Sequence, residues 1–187
     1  PGGNEVYIFS KWGKTNNIGN TETKKTRTAI LMDPSGHCKE FGLSAITEYG
    51  KSKNQENDYL FDHFKMSLYD PSGKKIHNKI KAVNGKEMSA EAVFVAAFEY
   101  IKTIVIEKLN KELKKSQISV KINDIKDIQW IVTIPAIWDD VAKNKMITWI
   151  GKAGLIDENI KDHCILKYEP DCASLSLQNE LLNKRIN

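Results

Sequence analysis

Apolar and polar positions along this chain follow two periods, and the switches between them mark its elements. In residues 127–140, DIQWIVTIPAIWDD, the run Trp130, Ile131, Val132, Ile134 is short and β-branched, which predicts a strand buried on both faces. Pro135 ends it, since proline has no N–H for the ladder. Asp139 and Asp140 then stand where a carboxylate accepts the orphan N–H groups of a new helix. Ala142, Met146, Trp149, Ile150 and Ala153 repeat at helical spacing, and Gly154 falls at the left-handed position that closes such a helix. A second apolar run, His163-Cys164-Ile165-Leu166, is broken by Glu169-Pro170 and followed by another helical pattern. Strand, helix, strand, helix predicts a parallel βαβ crossover. Ligands of such sheets bind beyond the carboxyl ends of the strands, where Pro135 and Glu169 fall.

The earlier half reads as a small antiparallel portion. Val6-Tyr7-Ile8-Phe9 is β-prone, and residues 16–20 form a turn. Residues 28–32 predict a strand, Asp33-Pro34-Ser35-Gly36 a turn, and residues 37–41 an antiparallel return. A short helix over residues 43–49 is expected to end at Gly50, with a polar loop over 51–58. Leu60, Phe61, Phe64 and Leu68 share one side of a helix over residues 59–68, which leaves Lys65 beside that face. Asp70-Pro71-Ser72-Gly73 repeats the earlier turn chemistry, residues 76–83 predict an edge strand, and Asn84-Gly85 predicts a tight type I′ hairpin. Ser89 is the N-cap of the longest helix, residues 90–115, whose face carries Val93, Ala97, Tyr100 or Ile101, Ile104, and Ile106 or Leu109. Its charged tail, residues 108–115, is expected to project into solvent. The fold class is α/β, antiparallel before residue 115 and parallel after it.

Composition narrows the function classes. At 187 residues the chain can bury a substantial core, and 28 Lys and Arg against 24 Asp and Glu leave a net charge of +4 dispersed among acids. Nucleic-acid binders concentrate basic charge on one face, so no nucleic-acid partner is expected. Lys24, Lys25 and Arg27 read as a solvated loop face. The three cysteines, Cys38, Cys164 and Cys172, form no C-x-x-C pair and leave one over from any disulfide, which favours a reducing, cytoplasmic location. No leader is expected, and no apolar segment approaches the roughly 20 residues of a membrane span. The start at Pro1 and the helical pattern still running at Arg185 read as those of a fragment.

Several chemistries are missing from the pattern. There is no G-x-x-x-x-G-K-[ST] phosphate loop and no Gly-rich dinucleotide fingerprint. His37, His63, His77 and His163 show no H-E-x-x-H spacing, and no G-x-S-x-G elbow occurs. His163 and Cys164 lie in an apolar run, where packing is their expected role.

A set of strings in fixed order carries a resemblance. Ile134-Pro135-Ala136-Ile137-Trp138, Ala153-Gly154-Leu155 and Glu169-Pro170-Asp171-Cys172-Ala173-Ser174 resemble the first nucleotide-binding lobe of the seventy-kilodalton heat-shock chaperones. Phe41-Gly42, Phe64-Lys65-Met66, Val83-Asn84-Gly85-Lys86 and Gln129-Trp130 are similar to the atypical branch of that family, the member-twelve type. The resemblance covers nearly the whole chain. It implies part of the first lobe of an actin-like ATPase (ribonuclease H-like) fold, with residues 28–126 as the outer subdomain. Residues 1–27 and 127–187 then belong to the inner subdomain, the latter as its βαβα portion.

The same resemblance implies ATP and magnesium as cofactors and assigns roles residue by residue. Glu169 would hold the magnesium hydration shell, as suits a hard cation that keeps its waters. Pro135 would be the hinge proline at the strand end. Lys65 would reach toward the γ-phosphate and the attacking water, where positive charge stabilises phosphoryl transfer. Each residue also has a plainer reading: a solvated lysine, an acid favoured at a helix start, and a proline that merely ends a strand. Arg27, where the family tends to have proline, and Asp171 and Cys172, where it has small residues or threonine, depart from the pattern. The family's Asp-x-Gly-Thr-type phosphate hairpin is not found, so the fragment alone is expected to be inactive. Two alternatives remain: a non-hydrolysing interaction or scaffold module of the same fold, and a sugar kinase of the actin-like superfamily. Client or regulatory proteins are the other partners implied.

Overall fold

The computed structural model describes residues 25–69, 78–117, 121–122, 125–157, 159–160 and 162–186, with side chains in the last helix described through residue 178. The chain divides into two compact units, Pro1–Ser67 with His77–Tyr100, and Leu68–Ile76 with Ile101–Asn187. The expected strand at residues 6–9, the turn at residues 16–20 and the Asp70-Pro71-Ser72-Gly73 turn lie outside the described residues.

The first unit is built on β1 (Ala29–Met32), the middle strand of an antiparallel sheet with β2 (Cys38–Phe41) on one side and β3 (Tyr59–Asp62) on the other. All four β1 residues are buried, because the strand has neighbours on both edges and side chains packed on both faces. Ala29, Leu31 and Leu60 form a cluster with Ala45 of helix α1 (Leu43–Lys51), onto which Ile46 and Tyr49 pack. An aromatic group fills another part of this core. Phe41 stacks on Tyr100 at 5.9 Å between ring centres, and Phe64 meets Phe94 edge-on at 5.1 Å.

Residues 59–62 overturn the helical expectation for 59–68. They form β3, with Ile30 opposite Phe61 and Leu31 opposite Leu60. Leu60 and Phe61 are neighbours and both buried. In a strand that requires a sheet packed on both faces, which β1 and its surroundings supply. His63, at φ 53°, then breaks the strand, and a single 3-10 segment, Phe64–Leu68, carries Lys65.

Two hairpins share one turn design. Gly36 N–H donates to Asp33 O at 3.0 Å and Asp33 N–H to His37 O at 3.0 Å. Likewise Gly85 N–H donates to Ala82 O at 2.9 Å and Ala82 N–H to Lys86 O at 2.7 Å, joining β4 (Lys79–Lys81) to β5 (Glu87–Ser89). Only Gly85 of the second turn has positive φ, whereas the expected type I′ form needs it at Asn84 as well. The longer loop with one left-handed residue leaves the Asn84 side chain available for other bonds. Helix α1 also runs one residue past Gly50, to Lys51, where Ser52 N–H closes it on Glu48 O at 2.9 Å.

Helix α2 (Ala90–Lys115) begins as its sequence requires, with Ser89 Oγ accepting Ala92 N–H at 3.1 Å. Its tail departs from a simple projection into solvent. Asn110 donates to Ile122 O and accepts Ile122 N–H, each at 2.8 Å, so a side-chain amide stands in for a strand partner.

The second unit holds β6 (Trp130–Ile134), α3 (Asp140–Lys152), β7 (Cys164–Tyr168) and α4 (Glu169–Ile186). β6 and β7 pair in parallel, Trp130 opposite Cys164 through Ile134 opposite Tyr168. The expected burial of β6 on both faces is not met. Trp130 and Ile134 are buried, but Ile131 is 59% exposed, because alternate residues of the two-stranded sheet leave on an open face.

Helix α3 follows its local sequence at both ends. Asp139 Oδ1 accepts Ala142 N–H at 2.8 Å, and Ala142, Met146, Trp149 and Ile150 are buried. At the other end Gly154, at φ 70°, donates to Gly151 O at 2.9 Å while Leu155 N–H reaches Ile150 O at 3.2 Å, the two bonds of a Schellman closure. His163 is buried between segments. Its Nδ1 accepts Asp157 N–H at 3.0 Å, so Nε2 carries the proton that reaches Ile125 O at 2.9 Å. Among the described residues no helix is long and apolar enough to cross a membrane.

Candidate functional site

The site grows from the ends of two strands. Because Ile134 lies opposite Tyr168, the residues that follow them, Pro135 and Glu169, leave the sheet side by side at its carboxyl rim. β6 stops at Pro135, and a turn closed by Trp138 N–H on Pro135 O at 3.3 Å leads into the Asp139 cap of α3. β7 passes directly into α4, with Glu169 as its first residue and Pro170 as its second, where a missing N–H costs nothing. Glu169 is exposed and shares the first turn with Asp171, so the rim carries two carboxylates at a helix N-terminus.

A cation also reaches this rim. Lys143 of α3 places its ammonium 5.2 Å from the centre of the Tyr168 ring and 3.0 Å from Asp140 Oδ1. Contact with the Tyr168 hydroxyl, then with Asp140, raises its pKa above the ordinary lysine value despite some burial. Sequence reading missed Lys143. An Asp-x-x-Lys spacing was visible as an ordinary helix pair, but nothing local indicates that the lysine meets the end of β7.

Lys65 belongs to the first unit. It is half-buried on the 3-10 segment, between buried Phe64 and exposed Met66, and Ser67 Oγ donates to Phe64 O at 2.7 Å to hold the turn. A charged group precedes it. Arg27 forks onto Asp62 with bonds of 2.8 and 2.6 Å, and His63 Nδ1 lies 3.2 Å from the same carboxylate. Burial pushes the Asp62 carboxyl up, but the Arg27 hydrogen bond with the His63 and Arg27 charges outweighs it and holds the pKa below its ordinary value. Arg27 is therefore half of an ion pair, not simply part of a solvated basic loop.

Among the described residues no three His, Cys, Asp or Glu side chains converge to bind a metal ion directly. Cys38, Cys164 and Cys172 form no disulfide among the described residues, and burial raises the Cys164 thiol above its ordinary value.

No family model matches the chain. It is similar to human heat shock 70 kDa protein 12B, with 29% identity over 173 residues, covering 91% of this chain and 24% of that protein. It is equally similar to human heat shock 70 kDa protein 12A, with 29% identity over 184 residues, 97% of this chain and 26% of that protein. The mouse 12A protein matches over the same extents, again at 29% identity. The chain spans about a quarter of the length of the curated relatives it matches. The match is distant and consistent, and it falls on the atypical branch to which the ordered strings point.

Proposed function

We propose that this chain, a distant relative of heat shock 70 kDa proteins 12A and 12B, contributes one wall of a Mg-ATP site in an actin-like nucleotide-binding domain. In this reading residues 28–126 are the outer subdomain, and residues 1–27 and 127–187 the inner one. Hydrolysis and any chaperone action on client or regulatory proteins belong to the whole protein, in a cytoplasmic setting. The single observation that supports the reading is the shared rim: adjacent parallel strands end level, one on Pro135 and the other on exposed Glu169.

The residues suit a magnesium ion held through its waters. Glu169 offers an exposed carboxylate at the strand rim, able to accept hydrogen bonds from the waters of a hydrated cation. Magnesium, when bound, supplies charge that neutralises the phosphates during transfer. Glu169 would hold that ion by accepting hydrogen bonds from its waters. Pro135, with its restricted φ, fixes the direction in which the chain leaves β6 toward α3, and the hinge role that the resemblance implies would act at this exit. Lys65 has the role the resemblance implies, a positive charge for the transferred phosphoryl group.

The test is calorimetry of ATP binding to the full-length protein with and without magnesium. Magnesium-dependent heat, weakened about 10- to 100-fold in Glu169→Gln, is the expected result. No heat at high protein concentration rejects the reading. The departures at Asp171 and Cys172, beside the exposed carboxylate, favour a second reading in which nucleotide is bound without turnover. ATP binding with no hydrolysis, and no effect of Lys65→Ala, supports that second reading.

A further inference from the structure

Asn84-Gly85 is the one Asn-Gly pair in the sequence. Glycine's unhindered amide makes such a pair the most susceptible backbone site for loss of the asparagine amide. In this fold neither partner is at liberty. Asn84 Nδ2 donates to Asp58 O at 2.9 Å, Gln55 O at 3.0 Å and Glu56 O at 3.4 Å, clamping the loop before β3 onto the β4–β5 turn. Its Oδ1 accepts Lys86 N–H at 3.3 Å, while Gly85 N–H is engaged by Ala82 O at 2.9 Å. A further tie, Val83 N–H to Leu60 O at 2.9 Å, joins the same turn to β3. Close by, Asp58 is 1% exposed and its carboxylate is held by Lys39 Nζ at 2.8 and 3.0 Å.

We propose that Asn84 is a conformation-gated deamidation site: the native clamp protects it, local opening of the turn releases it, and the product cannot remake the clamp. The chemistry needs only solvent. Gly85 N loses its proton to a base and attacks Asn84 Cγ; the Cγ–Nδ2 bond breaks, and ammonia leaves a succinimide. Water then opens the ring at either carbonyl to give aspartate or isoaspartate, with no change of oxidation state. Either product replaces the two amide protons by carboxylate oxygen. That oxygen faces the carbonyls of Gln55, Glu56 and Asp58, all acceptors, in the neighbourhood of the buried Asp58 carboxylate. Isoaspartate also lengthens the main chain by a methylene within a turn of fixed register. Conversion at this position therefore records the time the turn has spent open and prevents its full closure afterwards.

The chain is incubated at mildly alkaline pH in native buffer and in urea, then digested. Conversion of the peptide containing residue 84 is followed by mass spectrometry and by enzymatic methylation of isoaspartate. Conversion in native buffer is expected to be slower by at least about tenfold, the factor given by a local opening free energy of about 1.4 kcal/mol. Equal rates in the two conditions, or no conversion in urea, overturn the gating. Separately, Asn84→Asp is expected to unfold at lower urea than the parent chain or to fail to fold. An unchanged urea midpoint overturns the claim that the product cannot close.

Discussion

The Thr26 hydroxyl accepts the Leu43 N–H at 3.1 Å, so helix α1 is capped by a residue seventeen positions upstream. The N-cap residue itself, Gly42, has no side chain and sits at φ 71°, ψ −144°. A Cβ at Gly42 would collide with Thr26 Oγ1. Cap, close approach and backbone conformation therefore depend on the same two residues. Thr26→Ala should cost about 1 kcal/mol, as loss of a cap does. Gly42→Ala should exceed about 2 kcal/mol, adding the strain of positive φ to displacement of Thr26. Urea midpoints at constant slope check both, and equal effects of the two variants would refute the steric argument.

The Arg27–Asp62 pair predicts a direction with pH. The folded-state pKa of Asp62 is below its ordinary 3.8, so as pH falls the unfolded chain takes up this proton first. The contribution is complete above the ordinary carboxylate range and fades as pH drops through it. Arg27 is about half exposed, so solvent screening keeps the contribution of the pair small. Stability measured between about pH 6 and pH 3 should fall less steeply in Arg27→Ala than in the parent chain.

His163 joins two loops through opposite ring nitrogens. Replacement by Phe keeps much of the volume but strands Asp157 N–H and Ile125 O, with an expected loss of about 1–3 kcal/mol. Nitrogen chemical shifts should identify the tautomer with the proton on Nε2. A proton on Nδ1 would contradict the bonding described.

The C-terminus of α3 meets a second helix. Lys102 Nζ donates to Ala153 O at 2.5 Å, placing a cation where the helix dipole is negative. Lys102→Met should cost about 0.5–1.5 kcal/mol, the range of one hydrogen bond. Gly154→Ala should cost about 1 kcal/mol through its left-handed backbone, and the added methyl meets only the movable Lys102 tip at 3.1 Å. Thermal unfolding of the two single variants and the double variant separates these contributions, which share neighbouring atoms.

By itself the sequence determined those features whose physics is confined to a few residues. Asp139 and Ser89 cap their helices, Gly154 closes α3, Pro135 ends β6, and both glycine turns reverse the chain, since each requires only a bond or dihedral angle within about one turn. The ordered strings also carried the relationship to the 12A and 12B proteins. Tertiary structure decided what depends on distant partners. Tyr59 to Asp62 is a strand because β1 pairs with it and side chains occupy both faces; a short apolar run alone fits either period. Arg27 reaches Asp62 across 35 positions, and Lys143 meets Tyr168 only once β7 lies parallel to β6. Such contacts form when chain closure brings together groups that no local spacing connects, so the hairpin and the βαβ crossover could be read from the sequence while the identity of β3 and these side-chain pairs required the fold.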